Sequence, residues 1–136
     1  MVDSNVLIDV FNRDPQWLDW SRAQIQRLND DGHELVVNHV IVAEIATNFS
    51  SVGEMRDMLD QLDIEILPLN EDVAFAAGRA FRDYRRAHRE RDAILADFLI
   101  GGQAATLSAP ILTRDQSLYR RYFPDLTLIT PETHHG

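Results

Sequence analysis

Short apolar runs alternate with longer helical patterns along almost the whole of this chain, and that alternation constrains its fold more than any other feature. Apolar runs at 1–2, 35–38, 64–69, 110–113 and 126–130 read as strands. The stretches 4–12, 15–30, 39–50, 53–63, 71–90, 92–108 and 115–122 read as helices. Strands separated by helices pair in parallel, because parallel neighbours need a crossover between them. The expectation is an α/β fold with a mostly parallel sheet. At 136 residues, with no repeat, low-complexity tract or Pro/Gly/Ser linker, the chain reads as one domain over 1–136.

The helix at 71–90 shows the pattern most clearly. Val73, Ala77, Ala80, Phe81, Tyr84 and His88 make one stripe, with Asn70 at the N-cap position and Arg82, Arg85, Arg86 and Arg89 on the other side. Asp92 is read as the cap of the next helix, which leaves Asp97 well inside it. Ala93, Gly101, Ala104 and Ala105 share the face of Asp97 and predict a close approach to a neighbouring backbone there.

Charge is distributed unevenly. The formal net charge is −9, yet residues 1–78 hold four arginines against fifteen acids and residues 79–136 hold nine against seven. Every basic side chain is arginine, and six fall within 79–91. The missing lysine argues against phosphoryl-transfer folds that also place Asp after a first strand, and against a P-loop, whose motif ends in Gly-Lys. The absence of cysteine excludes disulfides, zinc–thiolate sites and thiol nucleophiles. The five histidines show no ligand spacing, and no serine sits in a nucleophile-elbow pattern. No stretch has the layout of a signal peptide or a membrane span, so a cytoplasmic location is expected.

Four acids stand apart from the solvated majority. Asp3 closes the first strand, in "MVDSNV", and Asp115 follows the strand "PILT". Glu44 is the only charge in "VIVAEIA", and Asp97 the only one in "AILADFLIG". Singly, Asp3 and Asp115 could be helix caps, and Glu44 and Asp97 could lie on exposed helix edges. Together they converge, because strand C-termini and the helices that follow them share one edge of a parallel sheet. Converging carboxylates without a basic partner repel each other, and a hard divalent cation such as Mg²⁺ or Mn²⁺ resolves the conflict. Ligands of that kind suit phosphodiester hydrolysis.

The segments "VDSNVLIDVF", "NHVIVAEI", "ILADFLIGGQA" and "ILTRDQSLYRRYF" resemble, in order, the acidic motifs of PIN domains, and most closely those of VapC-type toxins of type II toxin–antitoxin modules. The resemblance runs from Asp3 to Phe123. It implies an α/β/α sandwich, a Mg²⁺- or Mn²⁺-dependent endoribonuclease, a homodimer, and neutralisation by a small antitoxin protein. Asp3, Glu44, Asp97 and Asp115 match the quartet that holds metal and activates water. Ser4, Asn5 and Thr113 match the polar positions that orient those acids. Asn38 stands where many relatives carry serine, and the first strand is shorter than usual, which points to a start a few residues upstream. Arg85, Arg86 and Arg114 are the expected contacts to RNA phosphates, with Arg120 and Arg121 further candidates. A catalytically silent PIN-fold module that binds RNA or a protein is the alternative, and an intact quartet weighs against it.

Overall fold

The computed structural model describes residues 1–87 and 95–136. The elements follow in the order α1 (Ser4–Phe11), α2 (Leu18–Asp30), β1 (Leu35–Asn38), α3 (His39–Ile45), α4 (Val52–Gln61), β2 (Ile64–Leu67), α5 (Glu71–Ala87), α6 (Leu95–Leu107), β3 (Ile111–Leu112), α7 (Ser117–Tyr122) and β4 (Leu128–Ile129). The expected cap at Asp92, the stripe residue His88, Ala93 and the arginines Arg89 and Arg91 lie outside the described residues.

Every strand pairing is parallel. β1 pairs with β2, Leu35 opposite Ile64 and Asn38 opposite Leu67, and β3 pairs with β4. The N-terminal segment joins the two pairs. Val2 N donates to Val36 O at 2.9 Å, Asp3 N donates to Leu112 O at 2.9 Å, and Leu112 N donates to Met1 O at 2.9 Å. The order across the sheet is therefore β2, β1, residues 1–3, β3, β4. This is the parallel sheet expected from the alternation, within the α/β/α sandwich that the resemblance implies, and it places Asp3 at the centre of the sheet's C-terminal edge. One hydrophobic cluster runs through it, with Val6, Leu7, Val37, Ile41, Ile45, Phe98, Ile100 and Ile111 fully buried.

Local chemistry sets the helix starts. Asn38 Oδ1 accepts from Ile41 N at 3.0 Å and turns β1 into α3. Asn70 Oδ1 accepts from Val73 N at 2.9 Å before α5, as its position predicted. Ser51 Oγ accepts from Glu54 N at 3.1 Å, while Glu54 Oε2 reaches back to Ser50 N at 3.1 Å.

Two expectations need correcting. The helix expected over 39–50 ends at Ile45 and tightens into a 3₁₀ turn at Ala46–Asn48. There Asn48 Nδ2 donates to Ile45 O at 3.1 Å, a side-chain bond that competes with continued helix. The close approach of α6 to a neighbouring backbone is also one residue away from the predicted face. A Cβ on Gly102 would lie 3.0 Å from Ala77 N and 3.1 Å from Val73 O of α5, whereas Gly101 faces the ring of Phe123. Ala105 is exposed.

Candidate active site

Asp3 anchors the site. It is 6% exposed, caps α1 by accepting from Ser4 N at 2.8 Å, and takes two further hydrogen bonds on Oδ2. The Thr113 hydroxyl donates one at 2.8 Å and the Tyr119 hydroxyl the other at 3.1 Å. Both alternatives for Asp3 therefore hold at once: it is a helix cap and a buried carboxylate at a strand end.

Thr113 lies directly beyond β3, so its hydroxyl sits beside Asp3 on the same sheet edge. While donating to Asp3 it accepts from Asn5 Nδ2 at 3.2 Å and from Asp115 N at 3.0 Å. Asn5 Oδ1 in turn accepts from Arg114 N at 3.1 Å. Ser4 Oγ donates to Glu44 Oε1 at 3.1 Å, tying α3 to α1. Ser4 and Thr113 thus contact acids they were expected to orient, whereas Asn5 bonds to Thr113 and to the backbone of Arg114 rather than to an acid. Asp115 Oδ1 is held by Ser117 Oγ at 3.1 Å, at the entry to α7.

Asp97 stands in the first turn of α6, partly buried. Asp3, Asp97 and Asp115 line one cavity of about 380 Å³ with Ser4, Asn5, Tyr84, Ser117, Leu118, Tyr119, Arg121 and Tyr122. Glu44 is not among the residues lining it and is linked to it by the bond from Ser4 Oγ.

Electrostatics show that these acids are neighbours. Burial pushes the Asp97 carboxyl above its ordinary value, and the charges of Asp3 and Asp115 push the same way. Glu44 is raised by burial and by Asp3 and Asp97, against the hydrogen bond from Ser4. Asp3 is raised by burial in spite of its three donors. The Tyr119 hydroxyl is pushed up by burial and by Asp3, Asp97 and Glu44, so it remains a donor.

The donor chemistry fits a hard divalent cation. The acidic groups lining the cavity are carboxylates, no imidazole joins them, and among the described residues none of the quartet is in a salt bridge. Among those residues no three His, Cys, Asp or Glu side chains form a ready-made metal cage either. Hard divalent cations are held through as few as one or two carboxylates, with water completing their shell.

A family model, that of the PIN domain, matches residues 1–124. The chain is a member of the PIN domain family. Solved structures share the PIN fold over nearly their whole length. VapBC2 from Rickettsia felis, bound to a DNA fragment from their promoter, superimposes with a TM-score of 0.73 at 17% identity, over 96% of each chain. FitAcB from Neisseria gonorrhoeae gives 0.70 at 22% identity, over 98% of each. A toxin–antitoxin complex from Klebsiella pneumoniae gives 0.67 at 18%, over 96% of this chain and 95% of that one. No curated protein matches by sequence. No helix among the described residues is long and apolar enough to cross a membrane.

The expected RNA contacts divide. Arg85 and Arg86 are exposed on α5, whereas Arg114 is engaged elsewhere. Its guanidinium forms a two-pronged ion pair with Asp9 and lies 5.0 Å over the Trp17 ring, so it is a structural clamp rather than a free cation at the rim. Sequence reasoning missed Asp9, which is 2% exposed, although it interrupts the apolar run "VLIDVF" just as Glu44 and Asp97 interrupt theirs. It also missed Tyr119. Nothing in "SLYRRY" marks that tyrosine as facing a residue 116 positions away.

Proposed function

We propose that this PIN domain is a metal-dependent endoribonuclease acting as the toxin of a toxin–antitoxin pair, with Asp3, Glu44, Asp97 and Asp115 as its catalytic carboxylates. The observation that carries the reading is the gathering of Asp3, Asp97 and Asp115 around one cavity at the sheet edge, with Glu44 bonded to Ser4 beside them and none of the four in an ion pair among the described residues. Bound Mg²⁺ or Mn²⁺ would lower the pKa of a coordinated water and stabilise charge on the leaving oxygen. Asp3 and Asp97 would hold the ion, and Glu44 and Asp115 would hold its waters.

The chain's own contribution is positioning. Thr113, Tyr119 and Ser4 N hold Asp3 in one orientation, and Ser4 Oγ holds Glu44 beside it. Such supporting contacts govern how well carboxylates serve a metal. An acidic cavity repels RNA, so approach depends on the ion and on exposed arginines, Arg85 and Arg86 among them. The toxin role draws support from the toxin–antitoxin complex of similar fold. A cognate small antitoxin, a homodimer, a single domain over 1–136 and a cytoplasmic site of action belong to the same reading.

The test is cleavage of a mixed structured-RNA pool by the purified protein in Mg²⁺, Mn²⁺ or EDTA, alongside Asp97→Asn. Metal-dependent cutting that disappears in the variant is expected. No cutting in either metal, with inhibitor shown to be absent, would turn the reading to the silent binding module.

A further inference from the structure

One wall of the acidic cavity is not acidic. Arg121, Tyr122 and Leu118 of α7, with Tyr84 of α5, face the same space as Asp3, Asp97 and Asp115. Arg121 is exposed and shares a cavity with three carboxylates, yet among the described residues it forms no ion pair with any acid. Its guanidinium carbon lies 5.7 Å from the centroid of the Tyr122 ring. A cation–π contact of that kind holds the guanidinium against the ring while its hydrogen-bonding edge remains available.

The Tyr122 ring is itself held in place. It packs edge-on to Tyr84 with centroids 5.5 Å apart, and at 5.6 Å from Phe98 at a tilt of 57°. A half-buried ring and an exposed arginine on one cavity wall match the two ends of a nucleotide, the ring for the base and the fork for the phosphate. A cavity of about 380 Å³ takes a ligand of roughly that size. It has no room for a duplex.

We propose that Arg121 and Tyr122 form a nucleotide subsite, Arg121 binding a phosphate that flanks the scissile bond and Tyr122 stacking on the adjoining unpaired base. The proposal rests on the nuclease reading for its substrate class. It gives Arg121 a place beside the cut, adds Tyr122, and supplies a reason why the strand must be unpaired there. The carboxylates repel a phosphate that has no counter-cation, so Arg121, the one arginine lining the cavity among the described residues, sets where the strand enters.

The experiment separates charge from stacking. Binding of a fluorescein-labelled single-stranded RNA 12-mer is measured in Mg²⁺ over a range of KCl concentrations. Asp97→Asn is the background throughout, so that the RNA stays intact, and Arg121→Gln, Tyr122→Leu and Tyr122→Phe are each added to it. Arg121→Gln should weaken binding about tenfold at low salt and reduce the slope of log K against log salt by roughly 0.7, the loss of one single-strand phosphate contact. Tyr122→Leu should weaken binding by about tenfold with the slope unchanged, and Tyr122→Phe should bind as its parent does. A perturbed fold in Tyr122→Leu, checked by circular dichroism, leaves the decision to Arg121→Gln and Tyr122→Phe.

An unchanged slope in Arg121→Gln overturns the subsite, as does a Tyr122→Phe loss as large as that of Tyr122→Leu. Absence of RNA binding in the parent overturns it too, and would leave this wall to an acidic protein segment. Cleavage by the protein with Asp97 intact is scored separately. Metal-dependent cutting with an unchanged slope removes the subsite and keeps the nuclease; the slope change without cutting does the reverse.

Discussion

Arg114 grips Asp9 with two parallel hydrogen bonds, Nε to Oδ2 at 2.7 Å and Nη2 to Oδ1 at 2.8 Å, across 105 residues of sequence. Ser21 Oγ adds a third bond to the same carboxylate at 2.7 Å, and the Trp17 ring lies under the guanidinium. Because Arg114 stands between Thr113 and Asp115, this pair fixes the loop that carries one acid and steadies another. The clamp binds α1 and α2 to the end of β3 and places the candidate site on a rigid edge.

Breaking that pair from one side leaves a charge in a nearly dry place. Arg114→Met strands the Asp9 carboxylate, and losing one partner of a buried pair costs about 3 kcal/mol. Urea unfolding should show that loss, and the double variant Asp9→Asn with Arg114→Met should lose less than the two single changes added together. A single-variant loss below about 1 kcal/mol, the range of a surface pair, would place the clamp among exposed ion pairs instead.

The Tyr119 hydroxyl gives a more local prediction. Tyr119→Phe keeps the ring in the core and removes one donor from Asp3 Oδ2. The carboxyl of Asp3, already raised by burial, then rises further and is less often charged when metal arrives. Removing a contact that supports a ligand typically costs about tenfold in metal affinity or activity. A Mg²⁺ titration of RNA cleavage should shift to higher concentration by that factor with little change in Tm. An identical titration would show that Thr113 and Ser4 hold Asp3 unaided.

Much of this architecture was legible because it depends on local signals. Asn70 capped its helix as its position said, and parallel pairing followed from the alternation of elements. Glu44 and Asp97 could be singled out because a charge inside an apolar run costs free energy unless something uses it, and Asp3 and Asp115 because they follow strands at one sheet edge. What was hidden depends on partners distant in sequence. Arg114 looked like one more arginine until Asp9 appeared opposite it. Gly102, not Gly101, meets the α5 backbone because the rotation of α6 is set by packing, which the heptad spacing of small residues does not fix.

Stability should depend on pH with an unusual sign. Asp3, Glu44 and Asp97 all have carboxyls raised by folding, so the native state holds protons that the unfolded chain releases near pH 4. Between that value and their native values, stability falls as pH rises. The Met1 ammonium, lowered by burial from 8.0 to about 6, works in the opposite direction between those two values and is common to parent and variant, so the comparison is made between them: in EDTA, Asp97→Asn should raise Tm at pH 7.5 and show less gain in Tm on acidification than the parent. Adding Mg²⁺ should raise Tm at pH 7.5 most, since binding to the native state alone stabilises it. An Asp97→Asn profile of Tm against pH that coincides with the parent's would mean that these acids are not in conflict.

The contact between α5 and α6 joins packing to the site, because α5 brings Tyr84 and α6 brings Asp97 to the same cavity. Replacing Gly102 by alanine improves helix propensity by about 1 kcal/mol. The added Cβ would nevertheless stand 3.0 Å from Ala77 N and 3.1 Å from Val73 O, both backbone atoms that cannot turn aside. The helices must separate by a few tenths of an ångström, and overpacking of this kind costs about 1–3 kcal/mol. Gly102→Ala should therefore be less stable than the parent in urea. Its RNA cleavage should fall more than that of an equally destabilised variant remote from the cavity, such as Leu28→Ala, at a temperature where both are folded. Equal cleavage in the two would mean that the cavity tolerates the shift, and that the spacing of α5 and α6 serves stability alone.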